Sequence, residues 1–372
     1  MSVKGEENLC VVGLMSGTSL DGLDMACCSI GPRPQAVGAA GRVYGSEGLF
    51  CAVLAAETVP YPASWSRRLR QLPSASALDY ALADVELGHY MGQQVRAFVE
   101  RRGLHPDLVA SHGHTVFHQP QRGLTTQIAC GDAIAAETGL PTVFNFRRLD
   151  VALGGQGAPL VPVGDRLLFG AYDVCLNLGG FANLSLERDG QRVAYDICPC
   201  NLPLNLLAQR LGLPYDRGGA RAAQGTVDEG LLMRLNAIPY YNRPAPKSLG
   251  FEWLSSAFLP LVLRDDMSEP EVQDSLRTVV EHVAVQISQQ VAGARTVLVT
   301  GGGAYNSLLL QRLRALQPDV QFVVPEPELV EFKEAIVFAL LGYLRVRQQT
   351  NTWASVTAAR CDSVGGQLSG LF

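Results

Sequence analysis

Residues 13–24 read Gly-Leu-Met-Ser-Gly-Thr-Ser-Leu-Asp-Gly-Leu-Asp: glycines and small hydroxyl residues lead into two carboxylates. A turn of this composition presents several backbone N–H groups and hydroxyls to one anion. Asp21 and Asp24 would repel a phosphate held there unless a cation lay between them. Mg²⁺, which combines one or two carboxylates with phosphate oxygens, suits that place. Ser16, Gly17, Thr18, Ser19, Leu20, Asp21, Gly22 and Asp24 are therefore a candidate phosphate clamp, with Asp21 toward the metal. The same run also reads as a hairpin, because Asp21-Gly22 favours a two-residue turn. A hairpin tip can hold a phosphate, so the two readings are compatible. No Gly-Lys-Ser/Thr follows, so the run is not a Walker A loop.

Two further glycine-bearing turns follow apolar runs, at 179–183 and 301–306. Glycine lets a backbone approach a ligand closely. Three such turns in one chain suit a nucleotide held on its phosphates by two and on its nucleoside by the third. Arg147 offers a guanidinium fork that matches a carboxylate; beside Arg148 it also reads as a surface arginine. Glu334 offers a carboxylate acceptor, or an acid in a first helical turn favoured by the dipole. His112 is a substrate or hinge contact, or a satisfied strand-end residue. His112, His114 and His118, with Cys198 and Cys200, raise the alternative of a metal-dependent hydrolase. No second cysteine pair and no His-Glu-x-x-His helix supports that alternative.

These groups need elements to hold them. Residues 9–30 read as two strands around the Ser-Gly-Thr turn, and 78–102 carries apolar residues at helical spacing with Gly103 as a stop. A short strand at 108–110 opens into Ser111-His112-Gly113-His114-Thr115. A helix is expected from 128 to 137, a strand at 142–144 and a Gly/Pro loop over 149–164. The second half repeats the theme. Strands are expected at 174–178, 184–186 and 193–197, then a helix at 271–294, a β-branched strand at 296–300 and a last helix at 334–347. Strands alternating with long helices imply an α/β architecture. Two similar halves imply a duplicated fold, with a cleft between lobes that closes on binding to exclude water.

The chain has 372 residues, more than one core usually serves, so two domains are expected. The boundaries fall at 1–146 with 348–372, and at 147–347. A formal net charge of −5 and the absence of a long basic cluster speak against a nucleic-acid partner. Arg67-Arg68-Leu69-Arg70 reads as a solvated helix edge. No apolar run is long enough to span a membrane, and the polar first eight residues carry no secretory leader. Nine scattered cysteines point to a reducing, cytoplasmic setting.

Five strings occur in order: Met15-Ser16-Gly17-Thr18-Ser19-Leu20-Asp21-Gly22, Ser111-His112-Gly113, Gly154-Gly155-Gln156-Gly157-Ala158-Pro159-Leu160-Val161-Pro162, Asn177-Leu178-Gly179-Gly180-Phe181-Ala182-Asn183 and Gly301-Gly302-Gly303-Ala304-Tyr305-Asn306. The series resembles the anhydro-N-acetylmuramic acid kinases, from about residue 11 to the C-terminus. The resemblance implies a two-lobed actin-like (ribonuclease H-like) ATPase fold with duplicated mixed sheets. It also implies ATP and Mg²⁺ as cofactors, a small sugar substrate, a homodimer, and opening of the 1,6-anhydro ring with phosphorylation of O6.

By resemblance, 16–24 is the first phosphate loop, Gly179, Gly180 and Asn183 the second, and Gly301, Gly302, Gly303 and Asn306 the nucleoside site. The general base is Asp196. It stands in Asp196-Ile197-Cys198-Pro199-Cys200-Asn201, where the family pattern is Asp-Thr-Gly-Pro-Gly-Asn. The two cysteines replace glycines, so strain is expected if the turn needs positive φ. Asn205 stands for a further Asp, His114 for a Gln, and Lys247-Ser248-Leu249-Gly250-Phe251-Glu252 for Lys-Ser-Thr-Gly-Arg-Glu. These departures keep open a related sugar as substrate, or a non-catalytic sensor on the same fold.

Overall fold

The computed structural model describes residues 7–17, 20, 22–33, 42–46 and 48–370. Thr18, Ser19 and Asp21 of the expected phosphate clamp lie outside the described residues. In chain order the strands are β1 (Leu9–Ser16), β2 (Gly22–Gly31), β3 (Val43–Ser46), β4 (Leu49–Pro60), β5 (Leu108–Gln119), β6 (Leu124–Ile128), β7 (Thr142–Phe144), β8 (Val174–Leu178), β9 (Phe181–Arg188), β10 (Gln191–Pro199), β11 (Thr296–Thr300), β12 (Gln321–Val323) and β13 (Gln367–Ser369).

The chain forms two compact units, Met1–Gly170 with Phe332–Phe372, and Ala171–Glu331. The first holds a mixed sheet in the order β13-β7-β5-β1-β2-β4-β3, with β6 paired to β5. In it β1, β2 and β4 form an antiparallel meander, and β5 and β7 add in parallel beyond β1. The second unit holds the order β10-β9-β8-β11-β12. There β8, β9 and β10 are the meander, with β11 and β12 parallel beyond β8. Apart from β3, β6 and β13, the two sheets match strand for strand. This is the duplicated ribonuclease H-like pattern, two α/β units with mixed sheets.

Burial explains why the central strands read as continuous apolar runs. Val11 to Leu14 in β1 are buried in succession, as in a sheet covered on both faces. One cover is the helix Ala77–Arg102. Ser76 caps it, its hydroxyl accepting from the Asp79 N–H at 3.1 Å, and Gly103 ends it at φ 61°. Leu87, Met91, Val95 and Phe98 face the core, whereas Leu82 and Val85, apolar by type, face solvent. The helix Pro327–Val346 packs against β1 so closely that a Cβ on Gly13 would lie 1.9 Å from the Ala335 carbonyl oxygen. Gly13 is thus a helix-packing glycine inside β1, before the clamp turn begins.

Several expectations are corrected. The strand expected at 108–110 runs on through 111–115 to Gln119 as β5, where Gly113 at φ 75° accompanies a register shift, so the motif is a bulge within the strand. Ile128 ends β6, and the following helix begins at Gly131. Short helices Arg148–Ala152 and Val161–Phe169 flank the 154–159 loop. The last long helix begins at Pro327, two turns before Glu334, so Glu334 is no first-turn acid. The units change at 170/171 and 331/332, away from the expected 146/147 and 347/348. Side-chain packing sets these limits: Lys333 pairs with buried Asp165 at 2.7 Å, and Gly164 lies against Val337. Helices Asn201–Arg210, Glu229–Asn236 and Glu269–Gln290 build the second unit's helical face.

Candidate active site

In the second unit one row of strand register gathers three sequence motifs. Asp196 on β10 pairs with Asn183 on β9, Asn183 with Asn177 on β8, and Asn177 with Thr300 on β11. Adjacent strands lie about 4.8 Å apart, so the polar row is continuous across the sheet. Gly301 continues it at φ 81°, where a Cβ would come within 2.5 Å of Asn177 Oδ1. Gly303 is packed on Leu178, while Gly302 is exposed, with nothing closer to its Cβ position than Asn201 Nδ2 at 3.8 Å. The open backbone of this turn is therefore at Gly302. Asn306 is spent locally: its Oδ1 accepts from the Leu309 N–H at 3.1 Å and caps the helix Ser307–Leu316.

Gly179 and Gly180 make the tight β8–β9 connection. Their carbonyls accept from the N–H groups of Asn201, Cys200 and Leu202, satisfying the start of the helix Asn201–Arg210. Asn201 returns a bond from Nδ2 to the Leu178 carbonyl at 2.8 Å. Cys198 and Cys200 are buried free thiols. The expected left-handed strain is absent: neither has positive φ, and Cys200 sits at φ −130°. A register shift between Asp196 and Cys198 absorbs the turn instead.

Asp196 is held on three sides. Its N–H donates to the Lys247 carbonyl at 3.1 Å, its Oδ2 accepts from the Leu249 N–H at 2.8 Å, and its carbonyl accepts from the Tyr240 hydroxyl at 2.8 Å. Burial pushes its carboxyl up to about 6, with the Leu249 N–H pulling the other way. A carboxylate poised there is a serviceable base near neutral pH. Leu249, which departs from the family string, contributes through its backbone, so the change of side chain leaves the contact intact.

In the first unit the described part of the clamp is Ser16, Gly17, Leu20, Gly22 and Asp24. The Ser16 hydroxyl is buried, accepts from the Tyr61 hydroxyl at 2.8 Å and shares a 3.0 Å bond with His114 Nδ1. It anchors the loop from below. Burial holds His114 down at about 4, hence neutral. Leu20 closes a turn onto the Gly17 carbonyl with φ 61°, a strained value for a side-chain-bearing residue. Gly22 lies against the Val59 carbonyl, where a Cβ would be 2.5 Å away. Asp24 Oδ1 accepts from the Thr58 hydroxyl at 2.6 Å.

Arg147, His112 and the glycine string form one assembly. Arg147 donates from Nε and Nη2 to His112 Nε2 at 3.0 and 2.9 Å, and from Nη1 to the Gly157 carbonyl at 2.8 Å. His112 Nδ1 donates to the Gly113 carbonyl at 2.8 Å. Burial and the Arg147 charge hold this imidazole well below its usual range, which keeps Nε2 free to accept. Burial lowers Arg147 to about 10, Glu334 and Asp150 opposing. The guanidinium has five N–H groups, so one on each Nη is left for a carboxylate. Glu334 is solvent-exposed, yet desolvation pushes its carboxyl up, Asp24 adding to this while Arg147 and Lys333 oppose it. These opposing influences set Arg147, Asp24, Lys333 and Glu334 in one electrostatic neighbourhood.

Asp150 was not anticipated. It is fully buried, accepts from the Gly157 N–H at 2.6 Å and the Thr357 hydroxyl at 2.7 Å, and so winds the 154–159 loop around itself. Its one visible signal was position, three residues past Arg147 and just before the glycine string. The hydrolase alternative loses its geometry. The three histidines are each engaged elsewhere, His118 with the Thr125 hydroxyl, and among the described residues no three His, Cys, Asp or Glu side chains converge on a metal position. No helix among them is long and apolar enough to cross a membrane.

Strand pairing and the glycine turns closing β8 and β11 define a duplicated ribonuclease H-like α/β protein with a carboxylate at the third strand of its second sheet. The family model described as Anhydro-N-acetylmuramic acid kinase matches residues 9–369, and the chain belongs to that family. Anhydro-N-acetylmuramic acid kinase of Vibrio cholerae is 37% identical, covering 95% of this chain and 96% of its own, and that of Pseudomonas putida 35%, covering 94% and 96%. Among solved structures, a ROK family glucokinase from Streptomyces griseus in complex with glucose and AMPPNP covers 90% of this chain and 99% of its own, at 13% identity and TM-score 0.40.

Proposed function

We propose that the chain is an ATP-dependent kinase that opens 1,6-anhydro-N-acetylmuramic acid with water and phosphorylates O6, giving N-acetylmuramic acid 6-phosphate for cell-wall sugar recycling. The row Asp196–Asn183–Asn177–Thr300, running into Gly301, carries this reading, because it sets a base beside two glycine turns suited to a nucleotide. Asp196 takes a proton from water as the water oxygen bonds to C1. The C1–O6 bond breaks, its electrons staying on O6, and O6 attacks the γ-phosphorus as ADP leaves. Arg147, locked by His112 and Gly157, presents its remaining N–H pair to the lactyl carboxylate, and Glu334 accepts from a sugar hydroxyl.

Asp24 pairs with Met15 beside the Ser-Gly-Thr turn, its Oδ1 held by the Thr58 hydroxyl, and so sets a hard carboxylate oxygen next to the expected phosphate clamp. That donor, with the Asp21 that precedes it in the sequence, suits Mg²⁺ that keeps waters and phosphate oxygens. Asp21 and Asp24 would hold it, and when bound it offsets charge on the β- and γ-phosphates. Nine scattered cysteines support a reducing, cytoplasmic setting. A homodimer belongs to the reading and is checked by light scattering. The direct test is ADP release with the anhydro sugar: turnover that depends on sugar and Mg²⁺ supports the proposal, and none at millimolar sugar overturns it.

A further inference from the structure

The segment between the turn Pro239–Asn242 and the short helix Phe251–Trp253 has no regular structure, yet it supplies two of the three bonds that fix Asp196. Something must hold this segment in place. Lys247 Nζ donates back to the Tyr241 carbonyl at 3.1 Å and reaches the Tyr240 carbonyl at 3.4 Å. It also sits 4.8 Å from the Tyr240 ring centre and 5.8 Å from that of Tyr195. Tyr240 is itself buried, fixed by its hydroxyl on the Asp196 carbonyl and by Trp253 at 5.3 Å. Tyr241 is fixed in turn: its hydroxyl lies 2.8 Å from His282 Nε2, and His282 Nδ1 lies 2.7 Å from Asn236 Oδ1. His282 is fully buried on the helix Glu269–Gln290, and burial holds it down at about 3, so it stays neutral as an acceptor.

We propose that Lys247 is a positioning residue for the reaction: its ammonium pins the 243–250 segment to the Tyr240–Tyr241 pair and so holds the Leu249 N–H on the Asp196 carboxylate. The proposal rests on Asp196 being the base. It identifies the structural use of a side chain that the family string contains and the mechanism leaves idle. The titratable groups around Asp196 and Lys247 are Lys247 and Arg243 from this segment, Tyr240 from the turn before it, and Tyr195 and Cys198 from the strand of Asp196. Replacing Lys247 by Met keeps the stem and removes both the bonds and the charge over the rings. With the Leu249 bond loosened, the carboxylate loses a stabilising donor and binds protons more readily.

The test combines kinetics with hydrogen exchange on wild type, Lys247→Met and Lys247→Arg. For Lys247→Met, kcat falls about tenfold to hundredfold, the cost of a misplaced base, while KM for ATP holds. The acid limb of kcat/KM moves up by about half a pH unit or more. Exchange over 243–252 accelerates. Lys247→Arg, which keeps donors and a cation over the rings, returns the acid limb and the exchange rate toward wild type. Should Lys247→Met fail to fold, Lys247→Gln carries the same readouts. A folded variant with unmoved acid limb and unchanged exchange overturns the proposal, as does loss of stability alone with the acid limb in place. If wild type shows no turnover, the assignment of the base fails, while the exchange measurement still decides whether Lys247 holds the segment.

Discussion

Asp196 concentrates the residue-scale consequences. Asp196→Asn should lower kcat by about a thousandfold or more, in line with loss of a general base, and leave ATP binding intact. Stability should move the other way. The carboxyl is pushed from 3.8 to about 6 in the folded protein. Its favourable contribution is therefore full below pH 3.8 and lost as pH rises through about 6. Two such units correspond to about 3 kcal/mol of penalty on the ionised form. The Asn variant should accordingly melt above wild type at pH 7.5, with the gap closing toward pH 4. An equal gap at both pH values would contradict the buried charge. Wild-type kcat/KM should fall about tenfold per unit below about pH 6, as the base protonates. Asp196 was legible because its string survived. The side chains around it were not, since Tyr240, Lys247 and Leu249 reach it by tertiary contact and two of those contacts are backbone.

At the scale of elements, the 154–159 loop is a clamp wound on one carboxylate. Asp150→Ala would orphan the buried Gly157 N–H, at about 1–3 kcal/mol, and leave the Thr357 hydroxyl with its weaker bond to the Trp353 carbonyl. It should lower Tm, and raise KM for the sugar more than KM for ATP, because Gly157 positions Arg147. Equal effects on both KM values would separate the loop from the sugar. Gly13→Ala should destabilise by about 3 kcal/mol or more, an overpacked contact against rigid helix backbone. Thermal melts compare the two. Strong periodicity made the helices at 77–102 and 269–290 readable. Their ends needed caps: Ser268 donates its N–H to the Glu271 carboxylate at 2.8 Å, starting the second helix earlier than the apolar pattern suggests. The strand at 108–110 looked short because glycine and histidine interrupt the apolar run after it, whereas a bulge keeps 111–115 in the sheet. The helix start at Pro327 was hidden because Glu328, Glu331, Lys333 and Glu334 interrupt the apolar Leu329, Val330 and Phe332 in its first turns.

For the whole molecule, duplication is the organising fact. Each sheet places a meander of three strands beside two parallel ones, and each puts a glycine turn where its first strand gives way to its second. This much was legible, because paired strands around glycines recur in both halves. The unit limits were not, because the C-terminal helix and the segment to residue 170 join the first unit through contacts such as Lys333–Asp165 that no local pattern announces. Binding of Mg²⁺-ATP to the folded chain should add about 2.7 kcal/mol of stability at a hundred times its Kd. The gain should be the same in Asp196→Asn, since on the proposed reading that change removes the base and leaves the clamp. The central claim is tested most directly by turnover of 1,6-anhydro-N-acetylmuramic acid with ATP in ¹⁸O-labelled water. The account expects ¹⁸O at C1, phosphate on O6, and neither product from Asp196→Asn. A phosphorylated sugar without ¹⁸O at C1, or an active Asp196→Asn enzyme, would contradict it.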